Sequence, residues 1–73
     1  MGRKHGIAVC NGTAAIDIAI EALELRPGDE IIMPAFTIIS CVSQLVRNGL
    51  VPVLADSDPR TWNMDVGQLE SLV

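Results

Sequence analysis

Aromatic rings, basic clusters and metal ligands are all scarce in this sequence. It has no tyrosine, and only Phe36 and Trp62 supply aromatic rings among 73 residues. One histidine and two widely separated cysteines are too few ligands for a zinc site. No basic cluster exists beyond Arg3 and Lys4, and the formal net charge is −4. Nucleic-acid binding is therefore disfavoured.

Long hydrophobic runs are also missing. The longest stretch without charge, residues 31–46, is interrupted by Pro34 and several polar residues, so it predicts a strand, a loop and a helix rather than a membrane span. The apolar residues near the start give way to polar ones at Asn11, which is too early for a signal peptide. We therefore expect a cytoplasmic protein in which Cys10 and Cys41 are reduced thiols, buried or half-buried.

The sequence is nevertheless rich in apolar residues for its length. Hydrophobic residues make up 49% of the chain, and the mean hydropathy is +0.40. A chain this short buries only about 60% of the surface that its unfolded form exposes. This combination predicts that the chain is a piece of a larger protein, whose remainder covers its apolar faces.

Short apolar runs alternate with helical patterns. Strands are predicted at residues 7–10, 30–33 and 51–55, and helices at residues 13–25, 37–48 and from 66 onward. Continuous apolar strands are typical of a parallel sheet that is covered on both faces. The predicted fold class is therefore α/β, in the order β-α-β-α-β-α with mainly parallel strands. The first helix is apolar nearly all round, which predicts burial on two sides.

The strongest candidate site lies between the first predicted strand and the first helix. Gly12 would allow a ligand to approach the backbone closely, and the free N–H groups of Gly12, Thr13 and Ala14 at a helix start would favour a phosphate. The hydroxyl of Thr13 could add another donor. An ordinary capped turn explains the same residues, because neither a dinucleotide fingerprint nor a Walker loop is present.

Two further segments follow predicted strands. After the second strand, Phe36 or Ile38 could flank a flat ring at the edge where α/β proteins bind ligands. Alternatively, Phe36 packs in the core and Thr37 caps the next helix. After the third strand, the carboxylates of Asp56 and Asp58 have the chemistry of acid–base or metal sites, although turns explain them better.

The last predicted helix has its own start signal. Asp65 is expected to be the N-cap residue, with Gln68 as its capping-box partner. With His5 alone in the N-terminal tail, no set of nucleophile, base and orienting group can be assembled. No catalytic residue and no metal ligand is therefore predicted in this chain.

Several motifs together give a family resemblance. Residues 8–15, 26–37, 51–56, 58–59 and 63–65 resemble, in order and without gaps, the DegT-type sugar aminotransferases, which depend on pyridoxal phosphate. Within that family, residues 36–41 and 61–66 are most similar to perosamine synthases. The resemblance covers essentially the whole chain.

This resemblance implies a fold and a cofactor site. Residues 1–73 would be part of the large, pyridoxal-phosphate-binding domain of a fold-type I enzyme, in which other chain separates the first strand from the second. The phosphate of the cofactor would lie at Gly12, Thr13 and Ala14. Where the family commonly has an aromatic residue against the pyridine ring, this sequence has Ile38.

The resemblance also implies an activity for the parent protein. It would transfer an amino group, with glutamate as the expected donor, to a keto group of a nucleotide-linked deoxysugar in amino-sugar and polysaccharide biosynthesis. The parent is expected to be a homodimer with a shared active site, with no nucleic-acid or membrane partner.

The resemblance implies that the family's Schiff-base lysine, the acid that pairs with the pyridinium nitrogen, and the small C-terminal domain lie beyond Val73. Lys4 does not match that lysine. The chain alone is therefore expected to be inactive. Two alternatives remain open, namely a pyridoxal-phosphate-dependent sugar dehydratase of the same fold and a non-catalytic truncated remnant.

Overall fold

The computed structural model describes all residues from Met1 to Val73. The elements in chain order are α1 (Gly12–Ala22), β1 (Glu30–Pro34), α2 (Ile39–Arg47), β2 (Val51–Ala55), a 3-10 helix (Val66–Gln68) and α3 (Leu69–Leu72). None of the helices combines the length and the apolar character needed to cross a bilayer. The predicted α/β class is confirmed.

β1 and β2 form a two-stranded parallel sheet, as predicted. The register runs from Glu30 opposite Val51 to Pro34 opposite Ala55. Beyond β1, the N–H of Ala35 still donates to the carbonyl of Ala55 at 2.8 Å, which extends the ladder past the proline. The second predicted strand is one residue longer than expected, and the third has its predicted bounds. Helix α2 forms the crossover between them, as parallel strands require.

The first predicted strand is wrong. Residues 7–10 belong to no sheet and make no backbone–backbone hydrogen bond. A strand exists only where a neighbour supplies hydrogen-bond partners, and neither β1 nor β2 lies beside this segment. Ile7 is consequently 78% exposed. The predicted burial of Cys10 fails for the same reason, since its thiol is exposed, whereas Cys41 is half-buried as expected.

Helix α1 begins one residue earlier and ends three residues earlier than predicted. It closes at Ala22, and Glu24 then adopts a left-handed backbone with a φ of 52°. The N–H of Glu24 donates to the carbonyl of Glu21 at 3.1 Å. A left-handed residue just past the last turn is a common helix stop. This stop precedes the proline and glycine signal from which the longer helix was predicted.

Helix α2 starts later than predicted, and the predicted cap at Thr37 is wrong. Ile38 occupies the N-cap position and makes no side-chain capping bond. Thr37 lies one residue too early, and its Oγ1 is 3.3 Å from the Sγ of Cys41. The hydroxyl therefore contacts a thiol and caps no free backbone N–H of the helix.

Asp65 is the N-cap of the 3-10 helix, which confirms the predicted start. Its carboxylate accepts from the N–H of Gly67 at 2.9 Å. The predicted capping box is wrong in its second half, because the Oε1 of Gln68 accepts from the N–H of Asp56 at 3.1 Å instead of from Asp65. Gln68 therefore fastens the last helices to the end of β2.

A small core lies between the helices and the sheet. It consists of Ile20, Met33, Leu45 and Leu50, with half-buried apolar neighbours packed around it. Only six of the 73 residues are buried, and no large side chain is fully enclosed. The predicted two-sided burial of α1 is not reached in this chain, since Ile18 on its outer side is 40% exposed. The helix thus keeps an apolar stripe that nothing in this chain covers.

We expect the isolated 73-residue chain to lack a cooperative unfolding transition. Large side chains such as Leu54 remain 57% exposed, so burial is too small to offset an ordering entropy of about 1.5 kcal/mol per residue. Urea titration followed by circular dichroism should give a gradual change, and 1-anilinonaphthalene-8-sulfonate should fluoresce on binding. A sharp sigmoidal transition without dye binding would contradict this expectation.

Candidate functional site

Two loops leave the sheet at the same edge. Because β1 and β2 are parallel, their carboxyl ends lie side by side, and residues 35–38 and 56–65 both start there. Ligands of open α/β sheets bind outside the carboxyl ends of the strands. This edge is therefore the part of the sheet where a ligand is expected.

The N-terminus of α1 presents unpaired backbone donors. Asn11 is the N-cap residue, and its Oδ1 accepts from the N–H of Ala14 at 2.8 Å. The amides of Gly12 and Thr13, the first two of the helix, have no hydrogen-bond partner. Free amides in a first turn, aligned with the positive end of the helix dipole, attract anions. Two of the three amides predicted to hold a phosphate are thus free, and the third is already capped.

Gly12 is not required by the backbone conformation. It lies within the helix, it does not have a positive φ, and a Cβ built on it would meet no atom of this chain within 4 Å. The first turn also carries no acidic residue that would repel an anion. Open space, two free amides and the hydroxyl of Thr13 fit the terminal phosphate of a cofactor. The assignment of Gly12, Thr13 and Ala14 to that phosphate stays a prediction.

The segment after β1 is exposed. Phe36 is 64% exposed, so the interpretation that it packs in the core is wrong for this chain, and Ile38 is 70% exposed. The ring of Phe36 contacts the ring of Trp62, which is also 64% exposed; the centroids are 5.3 Å apart and the planes are tilted by 60°. Sequence reasoning missed this pair. The available signal was that both residues follow the carboxyl ends of strands that pair in parallel.

The three carboxylates after β2 bind backbone donors of their own loop. Asp58 Oδ1 accepts from the N–H of Arg60 at 2.8 Å, Asp56 Oδ1 accepts from the N–H of Ser57 at 2.9 Å, and Asp65 is the helix cap. These contacts confirm the interpretation as turns and a cap. No group of three His, Cys, Asp or Glu side chains is arranged to hold a metal ion.

A polar cleft of about 350 Å³ lies between the two longer helices. Asp17 and Glu21 of α1 line one side, and Arg47 and Asn48 at the end of α2 line the other. The side chain of Arg47 also donates to Oε1 of the buried Gln44 at 3.2 Å. The cleft holds no nucleophile, and it lies at the C-terminal end of α2, opposite to the end from which residues 35–38 enter that helix.

Comparison with protein families gives one match over the full chain. The sequence profile of the DegT/DnrJ/EryC1/StrS aminotransferase family matches residues 1–73. The match includes the N-terminus of α1 and both loops at the carboxyl edge.

Curated relatives match over nearly the entire chain. GDP-perosamine synthase of Caulobacter vibrioides is 46% identical over 72 residues, which are 99% of this chain and 19% of the relative. UDP-2-acetamido-2-deoxy-3-oxo-D-glucuronate aminotransferase of Pseudomonas aeruginosa is 41% identical over 73 residues, which are 100% of this chain and 20% of the relative. The chain thus spans about a fifth of the length of the curated relatives it matches.

The fold also matches a solved structure. Spr1654 of Streptococcus pneumoniae, described as a sugar aminotransferase and solved in its PLP-form, superposes with a TM-score of 0.77 at 38% identity. The superposition covers 84% of this chain and 16% of that protein. The apo-form of the same protein gives the same TM-score.

Proposed function

We propose, since the chain belongs to the DegT/DnrJ/EryC1/StrS aminotransferase family, that it is part of a sugar aminotransferase that uses pyridoxal phosphate. Residues 1–73 would form the N-terminal part of its large domain. The relatives' greater length supports this assignment, because the apolar stripe of α1 and the two open sheet edges need more chain to cover them.

The free amides at the start of α1 are the observation that carries the proposal. The N–H groups of Gly12 and Thr13 have no partner, and the hydroxyl of Thr13 stands in the same turn. These donors would hold the phosphate of the cofactor, which is the usual use of a helix N-terminus beside a sheet. Ala14 would contribute when Asn11 gives up its bond to that amide.

The cofactor, when bound, supplies an electron sink that stabilises charge on the carbon next to the transferred nitrogen. This chain's own part is to bind and orient. The amides of Gly12 and Thr13 fix the phosphate end, and Ile38 would lie against one face of the ring as an apolar contact. Lys4 lies in the exposed N-terminal tail and is not proposed as the nucleophile.

The substrate proposed for the longer protein is a keto sugar linked to a nucleotide, with glutamate as the amino donor. Two relatives support this class, since one is named for a GDP-linked and the other for a UDP-linked sugar. A soluble nucleotide-sugar substrate favours action in the cytoplasm. We further propose a homodimer whose active site is shared between subunits.

The longer protein is expected to transfer an amino group from glutamate to a nucleotide-linked keto sugar. The test is to recover the coding sequence that adjoins this chain, express the whole product with pyridoxal phosphate, and follow 2-oxoglutarate and amino-sugar formation by mass spectrometry. If the adjoining sequence has a histidine at the Schiff-base position and the sugar loses a hydroxyl as water, the protein is the dehydratase instead. A native stop codon directly after Val73 would favour a non-catalytic remnant.

Asn11→Asp should weaken phosphate binding in the longer protein without weakening the helix. Asp caps a helix as well as Asn does, but its charge would stand beside the bound dianion, so affinity for inorganic phosphate and for the cofactor should fall roughly tenfold or more. Asn11→Ser is the matched control, because it keeps a neutral cap. Binding is measured by titration of the apoprotein with inorganic phosphate and with the cofactor. Equal affinities of the two variants would show that the phosphate does not bind at this turn.

The 73-residue chain on its own should neither transaminate nor bind pyridoxal phosphate specifically. It holds donors for the phosphate but no lysine at the site, and its sheet is open at both edges. Absorbance titration with the cofactor, repeated with excess inorganic phosphate, is the measurement. Saturable binding that phosphate displaces would show that the α1 turn is sufficient.

A further inference from the structure

Trp62 has an unusual backbone for a bulky residue. Its φ is 65°, in the left-handed region that glycine and asparagine favour. Left-handed non-glycine residues are strained and persist only where the surroundings impose them, often at functional sites. The surrounding loop therefore has to impose this conformation.

The loop around Trp62 is closed by its own hydrogen bonds. The N–H of Trp62 donates to the carbonyl of Asp58 at 2.8 Å, and the N–H of Asp58 donates to the carbonyl of Asn63 at 2.8 Å. The second of these bonds, with that from the N–H of Asp65 to the carbonyl of Asp56, pairs Ser57 with Met64 as an isolated antiparallel bridge. These bonds enclose the left-handed residue Trp62.

The base of the same loop is fixed to the sheet. The N–H of Asp65 donates to the carbonyl of Asp56 at 2.8 Å, and the N–H of Asp56 donates to Gln68 Oε1 at 3.1 Å. Asp56 directly follows the buried Ala55 at the end of β2. Trp62 therefore projects from a loop whose base is closed by hydrogen bonds at the carboxyl end of β2.

The segment after β1 has little support of its own. Its backbone bonds are at its two ends, from the N–H of Ala35 to Ala55 and from the N–H of Cys41 to the carbonyl of Ile38 at 3.1 Å, and between them Thr37 contacts Cys41 and Phe36 contacts Trp62. The ring separation of 5.3 Å at a tilt of 60° lies in the favourable range for aromatic pairs. Residues 35–38 thus contact the Trp62 loop through the ring of Phe36.

We propose that Trp62 is a positioning residue, whose ring holds Phe36 and thereby sets the conformation of residues 35–38 at the cofactor edge. This inference rests on the proposed function, because it assumes that the cofactor ring lies beside this segment. Trp62 itself need not touch the cofactor. The left-handed backbone of Trp62 orients its indole toward Phe36.

Trp62→Gly is the sharpest test in the longer protein. Glycine suits the positive φ, so the backbone is not strained and the thermal midpoint should stay close to that of the unmodified protein. Loss of the ring contact should raise the dissociation constant of pyridoxal phosphate roughly threefold to tenfold. The inhibition constant of inorganic phosphate should not change, because phosphate alone needs only the α1 turn.

Four further variants complete the test. Trp62→Phe keeps a ring and should restore affinity to within about twofold, and Phe36→Leu should reproduce the loss from the other side of the contact. Combining Trp62→Gly with Phe36→Leu should cost no more than either change alone, since both remove the same interaction. Arg60→Ala, in the same loop but outside the contact, should leave cofactor affinity unchanged.

The outcomes separate this inference from the proposed function. If the unmodified protein binds neither pyridoxal phosphate nor inorganic phosphate, the proposed function fails and the positioning role fails with it. If it binds both and Trp62→Gly binds the cofactor equally well, only the positioning role is overturned. Full additivity of the two losses, or an equal shift in the phosphate constant, would also overturn it.

Discussion

The parallel pairing of β1 with β2 is the constraint on which the other features depend. It forces α2 to cross over the sheet, and it brings the carboxyl ends of both strands to one edge. Two loops that are distant in sequence therefore start side by side, and Phe36 can meet Trp62. Without this pairing neither loop would have a defined neighbour.

The small size of the core explains why many apolar side chains of this chain remain exposed to solvent. Ile20, Met33, Leu45 and Leu50 form a cluster that joins two helices to one side of a narrow sheet. Apolar residues elsewhere, such as Ile18 and Leu54, remain in solvent. The curated relatives are about five times as long as this chain. In a longer chain of this fold class, strands and helices from other parts of the sequence close the sheet layer and cover such residues.

The sequence was most informative where the signal is local. The cap at Asp65 and the turns at Asp58 depend on residues a few positions apart, and both were predicted correctly. The bounds of β2 were also predicted correctly, although its partner strand is distant in the sequence. The strand at residues 7–10 was not, because an apolar run becomes a strand only beside a partner. The contact between Phe36 and Trp62 was missed for a similar reason, since the two residues lie 26 positions apart in the sequence.

The two open edges of the sheet have a consequence for synthesis. In the longer polypeptide proposed above, synthesis proceeds at roughly 5–20 residues per second, so β1 and β2 would leave the ribosome before any flanking strand that is encoded after them. During that interval unpaired strand edges and bare apolar side chains are available to other nascent chains. Such a protein has to delay its collapse, or be shielded by a chaperone, until its later segments arrive.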